Sequence, residues 1–370
     1  MHILFAGGGT AGHINPALAI AGYIKEKHPE AKISYIGTAK KLEATLVPRQ
    51  GYDFYTIDVA GFQRKLTPEN IARNVVAVYK AVNSSLRARK LLKQLKPDIV
   101  IGTGGYVSGP VVNEAQKLGI KTAIHEQNAF PGVTTKMLSK KVNTVMVAYK
   151  EAEKYLQVTN KCVVTGNPVR QDLINSKKDA AREKLGLDNR PLILSFGGSL
   201  GAMAINNAVK ELIRHHNGSG KYHHIHATGK NGYEDMISEL SDITLADEIK
   251  IKEYIYDMDV CMAAADIVIS RAGAISLSEI QALGKAAVLI PSPYVAENHQ
   301  YHNAMSLKNA GAAEVIEEKN LTPELFIKTV ESIADNAALL SKMSENAKKS
   351  AIIDANERIY NEIMDLYNNH

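Results

Sequence analysis

The stretch "MHILFAGGGTAGHINPALAIAGYIKEK" (residues 1–27) decides the fold. An apolar run over residues 2–6 enters three consecutive glycines and then a segment with apolar residues at helical spacing, which is the opening of a βαβ unit. Gly7, Gly9 and Gly12 fit the G-x-G-x-x-G pattern of a dinucleotide site. Such a site also needs an acid at the end of the second strand, about 20 residues on, to hold the ribose. The second strand here, "KISYIG" (32–37), is followed by "TAKK", so lysines stand where that acid is required. This counts against NAD and leaves an NADP oxidoreductase as a rival reading. More generally, a strand-to-helix glycine turn brings backbone N–H groups and the positive helix end close to an anion. The bland alternative is a glycine turn needed only for close strand-helix packing.

The same plan restarts at "LILSFGGSLGAMAINNAVKEL" (192–212). Between and after the two turns, short runs such as "DIVIGTGG", "TAIHEQN", "TVMVAY", "YHHIHATG", "KIKEYI", "DIVISRAG" and "AAVLIPS" alternate with amphipathic segments. The expected class is α/β, with two Rossmann-like domains of parallel sheet facing a cleft. The boundaries are read as residues 1–165, 166–348 and a terminal helix over 349–370 that packs back on the first domain. Ile352, Ile359, Ile363 and Leu366 supply its apolar stripe.

The 370 residues are 45% hydrophobic and 22% charged, as in an ordinary globular chain. No apolar run reaches the ~18 residues of a membrane span, and the first strand begins at residue 2, where a leader would lie; the expected compartment is cytoplasmic. Two distant cysteines, Cys162 and Cys261, agree with a reducing compartment. Residues 1–165 hold 23 Lys+Arg against 11 Asp+Glu (net +12), leaving 21 against 28 (net −7) for the remainder. A basic first half calls for an anionic partner: nucleic acid, a phosphorylated substrate or a membrane surface. Within it, "IARNVVAVYKAVNSSLRARKLLKQLKP" (71–97) sets Ile71, Val75, Val78, Tyr79 and Val82 beside Arg87, Arg89, Lys90, Lys93 and Lys96. It reads first as a helix on the sheet and second as a membrane-facing element.

Further candidates end strands, where open α/β sheets bind ligands. "TGGYVSGP" (103–110) offers Tyr106 and Ser108, and "HEQNAFPG" (125–132) offers His125, Glu126 and Asn128. His13 and Glu126 are the candidate bases, whereas His125 is expected only to bond a neighbouring glycine loop. "TGNPVR" (165–170) gives Arg170 for a diphosphate, and the second glycine turn gives Ser199 at a helix start. "SRAGAISLSEI" (270–280) opens another helix at Ala274 and Ile275, with Glu279 able to accept ribose hydroxyls. "PSPYVAENHQYHNA" (291–304) offers Asn298, His299 and Gln300 to sugar hydroxyls. The D-x-D pair Asp257 and Asp259 falls at an expected helix start, where acids are favoured anyway. Strand alternation separates His223 from His224 and His226, so no metal or other cofactor is expected.

Taken together and in this order, "GGGTAGHINPALAIA", "IGTGGYVSGP", "HEQNAFPG", "TGNPVR", "FGGSLGA", "SRAGAISLSEI" and "ENHQYHNA" resemble the MurG family. These are the UDP-N-acetylglucosamine:undecaprenyl-pyrophosphoryl-N-acetylmuramoyl-pentapeptide N-acetylglucosaminyltransferases of bacterial cell-wall synthesis. The resemblance runs from Met1 past Ala304 and implies the GT-B fold and inverting transfer of GlcNAc from UDP-GlcNAc to lipid I, giving lipid II. It also implies peripheral attachment at the cytoplasmic face of the cell membrane. The first domain would meet acceptor and anionic lipids, and the second would bind UDP-GlcNAc. Matched donor positions are Thr10, Ala11, Gly12, Asn128, Arg170, Ser199, Ile255 through its backbone to uracil, Glu279 on the ribose and Gln300 on the sugar. His13 is the expected base, Glu126 the runner-up and Tyr106 an acceptor-positioning group. The chain departs from some members at Ala11 (often Gly), Leu200 (often Gln) and His299 (sometimes Gln). Nucleic acid drops out as partner, and wall-synthesis proteins become candidates. A UDP-GlcNAc 2-epimerase or a non-catalytic sugar-nucleotide sensor are the rivals that share the fold.

Overall fold

The computed structural model describes residues 1–59, 83–198 and 200–369. Two compact units result, Met1–Pro168 with Asp354–His370, and Val169–Ile353. Ser199 and, from the basic stretch, Ile71, Val75, Val78, Tyr79 and Val82 lie outside the described residues.

The first unit is built on β1 (His2–Gly7), β2 (Lys32–Gly37), β3 (Asp53–Thr56), β4 (Ile99–Gly104), β5 (Lys121–Glu126), β6 (Thr144–Val147) and β7 (Lys161–Val164). They form one sheet in the order β3-β2-β1-β4-β5-β6-β7, every pair parallel. Its helices are α1 (Ala11–Lys27), α2 (Glu43–Arg49), α3 (83–95), α4 (Gly105–Lys117) and α5 (Val133–Leu138). Because successive side chains point to opposite faces, Leu4 and Ala6 enter one core with Val100, Val111 and Leu92, while Ile3 and Phe5 enter the other with Ile14, Ile20 and Ile101. Both faces are covered, so the central strands are apolar throughout. On α3, Ala88, Leu91 and Leu92 are buried, whereas Arg87, Arg89, Lys90 and Lys93, with Lys96 just past its end, are exposed.

The second unit repeats the plan with β8 (Leu192–Phe196), β9 (His223–Ala227), β10 (Ile249–Lys252), β11 (Ile267–Ser270), β12 (Ala286–Leu289) and β13 (Ala313–Val315), ordered β10-β9-β8-β11-β12-β13 and all parallel. Its helices are α6 (Gln171–Ile174), α7 (Lys178–Leu185), α8 (Met203–His216), α9 (Tyr233–Glu239), α10 (Met258–Ala264), α11 (Ala274–Leu283), α12 (His299–Asn309), α13 (Pro323–Ala334) and α14 (Ala337–Ser350). Asp257 and Asp259 flank the start of α10, where the positive helix end favours acids.

Strands β3, β7 and β13 were not expected from the sequence. The chain's end also differs from a single terminal helix. α14 stops at Ser350, an extended Ala351 follows, and α15 (Ala355–Asn368) begins anew, leaving Ile352 outside the helix. Two β-branched residues followed by Asp354, which takes the N-cap position, favour that break. α15 returns to the first unit, where Ile359 and Ile363 join the core of Ile3 and Phe5 and the Tyr360 hydroxyl bonds His28 Nε2 at 2.8 Å. Lys161 pairs with Glu362 in the middle of α15 at 2.6 Å, and Lys121 Nζ donates to the Asn369 carbonyl at its C-cap at 2.6 Å.

In each sheet the strand order reverses once, between β1 and β4 and between β8 and β11. The loops leaving the carboxyl ends of those strands diverge and open a crevice. Both glycine turns lie at such a point.

Candidate active site

In the first unit, Gly7, Gly8 and Gly9 leave β1 and meet the loop that leaves β4. The approach is close: a Cβ on Gly105 would lie 2.2 Å from the Gly8 carbonyl oxygen, and one on Gly104 would lie 2.6 Å from the His13 ring. Gly9, Gly104 and Gly105 all have φ in the left-handed region, at 90°, 109° and 77°. Gly9, Thr10, Ala11 and Gly12 are exposed, and the hydrogen-bond ladder of α1 begins with the His13 and Ile14 amides, which donate to the Thr10 carbonyl at 3.1 and 3.3 Å, so the Ala11 and Gly12 amides stand ahead of it. These are the features an anion site needs.

His13, in the first turn of α1, is half-buried beside Gly104. Its Nδ1 lies 3.1 Å from the Gly8 carbonyl oxygen and 3.4 Å from Thr10 Oγ1. A carbonyl can only accept, so the proton of the neutral ring sits on Nδ1 and the Nε2 lone pair is left to accept one. Ser108 takes a different part from the one expected. It is buried within α4, donates to the Ala6 and Gly104 carbonyls at 2.6 and 2.8 Å and accepts from Gly104 N at 3.0 Å, so it clamps the turn from below. Tyr106 is 62% exposed on the first turn of α4.

Glu126 ends β5 almost fully buried. Its carboxylate accepts from the Asn128 N–H and Nδ2 at 3.0 Å each and from Gly132 N at 3.1 Å, which ties the 126–132 loop into one piece. His125 is buried as well. Its Nε2–H donates to the Gly166 carbonyl at 2.9 Å, and its Nδ1 accepts from Gln127 Nε2 at 3.0 Å. Burial pushes its pKa down, against the Gly166 bond and the Glu126 charge.

The sequence reading missed Glu43. This side chain is fully buried, with its carboxylate accepting from Gly9 N at 3.2 Å, Thr38 N at 3.1 Å and Thr38 Oγ1 at 2.7 Å. Only its distance from Gly9 along the chain hid it, since a Glu at a helix start otherwise reads as a solvated first-turn acid.

In the second unit, the turn after β8 packs on the loop after β9. A Cβ on Gly201 would lie 2.1 Å from the Thr228 carbonyl oxygen, and one on Gly229 2.1 Å from Gly201 N. Beside it at the crevice, β11 ends at Ser270, the turn through Arg271 and Gly273 follows, and α11 starts at Ala274 and Ile275. Glu279 sits on α11 with Arg170 Nε at 3.9 Å from its Oε1. Burial raises the Glu279 pKa while the Arg170 charge pulls it back. The Ile255 side chain is buried, between exposed Tyr254 and Tyr256 whose rings meet edge to face at 4.9 Å.

The turn before α12 carries two non-glycine residues in the left-handed region, Glu297 (φ 56°) and Asn298 (φ 50°). Asparagine tolerates this conformation but glutamate resists it, and such strain gathers at ligand sites. The turn sets His299 and Gln300 at the start of α12. His299 Nδ1–H donates to the Ala296 carbonyl at 2.7 Å, and Gln300 Oε1 accepts from Ser292 N at 2.9 Å, leaving the Gln300 amide N–H groups as donors. Among the described residues no group of three or more His, Cys, Asp and Glu side chains has the geometry to hold a metal ion.

Two parallel-sheet units, each with a glycine turn at its switch point and one with an oriented imidazole, define a sugar-nucleotide transferase of the GT-B class. The glycosyltransferase family 28 N-terminal domain matches residues 3–147 and the C-terminal domain of the same family matches residues 192–359, and the chain belongs to that family. Among its relatives is the UDP-N-acetylglucosamine--N-acetylmuramyl-(pentapeptide) pyrophosphoryl-undecaprenol N-acetylglucosamine transferase of Acetivibrio thermocellus, 47% identical over 370 residues, covering 100% of this chain and 99% of the relative. The crystal structure of Acinetobacter baumannii MurG superposes with a TM-score of 0.79 at 31% identity, over 98% of this chain and 99% of that one. A UDP-GlcNAc 2-epimerase from Neisseria meningitidis, bound to UDP-GlcNAc, shares the fold alone, with a TM-score of 0.66 at 16% identity over 99% of this chain and 100% of that one.

Proposed function

We propose that this chain transfers GlcNAc from UDP-GlcNAc to the C4 hydroxyl of the MurNAc unit of lipid I, releasing lipid II and UDP. The observation that carries the mechanism is the 3.1 Å contact of His13 Nδ1 with the Gly8 carbonyl, which leaves Nε2 as the proton acceptor at the mouth of the first glycine turn. In the reaction, the acceptor hydroxyl oxygen bonds to C1 of GlcNAc from the face opposite UDP. Its proton passes to His13 Nε2, the C1–O bond breaks, and its electron pair leaves on the UDP diphosphate, inverting the anomeric centre. His13 is preferred to Glu126 because the Glu126 carboxylate is already committed to three loop N–H groups. Tyr106, exposed on α4, positions the acceptor.

Charge gathering on the diphosphate is met by Arg170, Ser199 and the helix start after the second glycine turn. Thr10, Ala11, Gly12 and Asn128 complete the phosphate and sugar contacts from the first unit. Ile255 reads the base through its backbone, Glu279 accepts the ribose hydroxyls beside Ala274 and Ile275, and His299 and Gln300 hold the GlcNAc hydroxyls.

Lipid I is anchored in the bilayer, so the enzyme works at the cytoplasmic face of the membrane, in wall synthesis and hence in cell shape and division. Among the described residues no helix is long and apolar enough to cross a membrane. The exposed cations of α3 and the net +12 of residues 1–165 suit peripheral attachment to anionic lipids. The acidic remainder is the surface left for partner proteins of wall synthesis.

The test is UDP release from UDP-GlcNAc with and without a lipid I analogue, in EDTA. Acceptor-dependent release that falls by roughly 10²-fold or more in His13→Ala is expected. Turnover of UDP-GlcNAc alone would favour the epimerase reading, and near-normal turnover in His13→Ala at saturating substrates would remove His13 as base.

A further inference from the structure

Glu43 and His13 grip the same peptide group from opposite ends. The Gly8–Gly9 peptide donates its N–H to Glu43 Oε2 at 3.2 Å, and its carbonyl accepts from His13 Nδ1 at 3.1 Å. We propose that Glu43 is the positioning residue of the catalytic base, acting on His13 through the Gly8–Gly9 peptide as a carboxylate–peptide–imidazole relay. The inference rests on the reading of His13 as base given above and names what orients it.

Three features carry the relay. A carboxylate on the N–H end of an amide draws that proton and loads electron density onto the carbonyl oxygen, so the bond the carbonyl accepts from His13 strengthens. Glu43 is fully buried and held by the Thr38 amide and hydroxyl at 3.1 and 2.7 Å, so its carboxylate is fixed rather than solvated away. The glycines make room for it. A Cβ on Gly8 would lie 2.4 Å from Glu43 Oε1, and one on Gly37 2.6 Å from Glu43 Cγ. On the far side, Gly104 gives the ring its seat, with a Cβ there 3.0 Å from Nε2.

The relay does for His13 what a directly bonded carboxylate does for an imidazole elsewhere: it fixes the Nδ1–H tautomer and favours the imidazolium formed when Nε2 accepts a proton. Thr10 Oγ1, 3.4 Å from Nδ1, could donate to an unprotonated Nδ1, but the Gly8 carbonyl would then face a lone pair. The relay also accounts for a loop amide that points inward. Gly9 N–H is spent on Glu43, which leaves anion contact to the amides at the start of α1.

The experiment is ¹⁵N NMR of the full chain with labelled histidines, the His13 signals among 12 histidines being those lost in His13→Gln. At a pH where the ring is neutral, wild type is expected as the Nδ1–H tautomer, and Glu43→Gln, whose amide offers a donor where the carboxylate only accepts, is expected to move it toward Nε2–H. Alongside, Glu43→Gln should lower kcat roughly 10- to 100-fold, less than loss of the base itself, with the UDP-GlcNAc KM unchanged. It should have little further effect in a His13→Ala background. An Nε2–H tautomer in wild type, or a tautomer indifferent to Glu43→Gln, would overturn the relay. Should Glu43→Gln fail to fold, Glu43→Asp, which draws the carboxylate back from Gly9 N, is expected to give a smaller shift in the same direction, and the wild-type spectrum needs no variant. Full turnover in His13→Ala would remove the base assignment while leaving the tautomer result to stand or fall by itself.

Discussion

Acid should unlock the second unit in the core beneath its glycine turn. His224 and His226 share one face of β9 and meet Ser195 Oγ of β8 at 2.8 Å each, and His224 Nδ1 reaches His216 Nε2 of α8 at 3.4 Å. With neutral rings the protons run one way. His226 Nδ1–H donates to Ser195 Oγ, with the Ser195 carbonyl beside it at 3.2 Å, Ser195 Oγ–H donates to His224 Nε2, and His224 Nδ1–H to His216 Nε2. An added proton sets donor against donor at His216 and His224, and at His226 it buries a charged ring whose Nε2, like His216 Nδ1, has no partner among the described residues. Burial pushes His216 and His226 down to about 4, the His215 charge also lowering His216 against Glu248 and Glu331, and it holds His224 well below its ordinary 6.5. The unfolded chain therefore takes up protons below pH 6.5 that the folded chain refuses. Stability is full above that pH and is lost as pH falls toward 4. From pH 7 to pH 5 the loss is about 2 kcal/mol for each of His216 and His226, and the ~4 kcal/mol sum is a large share of a typical 5–15 kcal/mol. The carboxylates whose pKa is depressed, Asp188, Asp242 and Glu30, give up stability as pH falls below their ordinary 3.8, 3.8 and 4.5, beneath most of this window. The assay is urea unfolding at pH 7, 6 and 5 for wild type and for His216→Phe with His226→Gln. Comparing the two cancels these carboxylates, together with His2 and His125, which are also lowered by burial in the first unit. An equal pH slope in both proteins would refute the reasoning.

Gly104→Ala places a methyl 2.6 Å from the His13 ring at a φ of 109°, and should lower kcat by about 10²-fold, read by UDP release with lipid I analogue. Glu126→Gln removes one acceptor from a loop that needs three, so it should cost about 1–3 kcal/mol in urea unfolding, while retaining more turnover than His13→Ala; the reverse ranking would return the base to Glu126. Glu279→Gln weakens the acceptor offered to the ribose hydroxyls and should raise the UDP-GlcNAc KM by about 10-fold, with a smaller change in kcat.

The parallel sheets and the two glycine turns were legible because strand, turn and helix are local patterns with periods of 2 and 3.6 residues. β3, β7 and β13 were not. They are edge strands of four, four and three residues, mostly half-exposed, and pairing on one side asks little of their apolar pattern. The bonding of His125 to the Gly166 loop was foreseen, whereas Ser108 turned out to be a buried clamp, because only the fold fixes which way an α4 side chain points. Local sequence thus determined the class of fold and a family resemblance dense enough to imply a reaction. Tertiary structure alone decided which candidates are free to react and which are spent on holding loops. It set Glu43 against a peptide 34 residues earlier, closed Glu126 with three N–H groups and left His13 with an open nitrogen. Hydrogen bonds between distant segments leave no periodic trace in a sequence, and a buried carboxylate is chosen by what surrounds it in space.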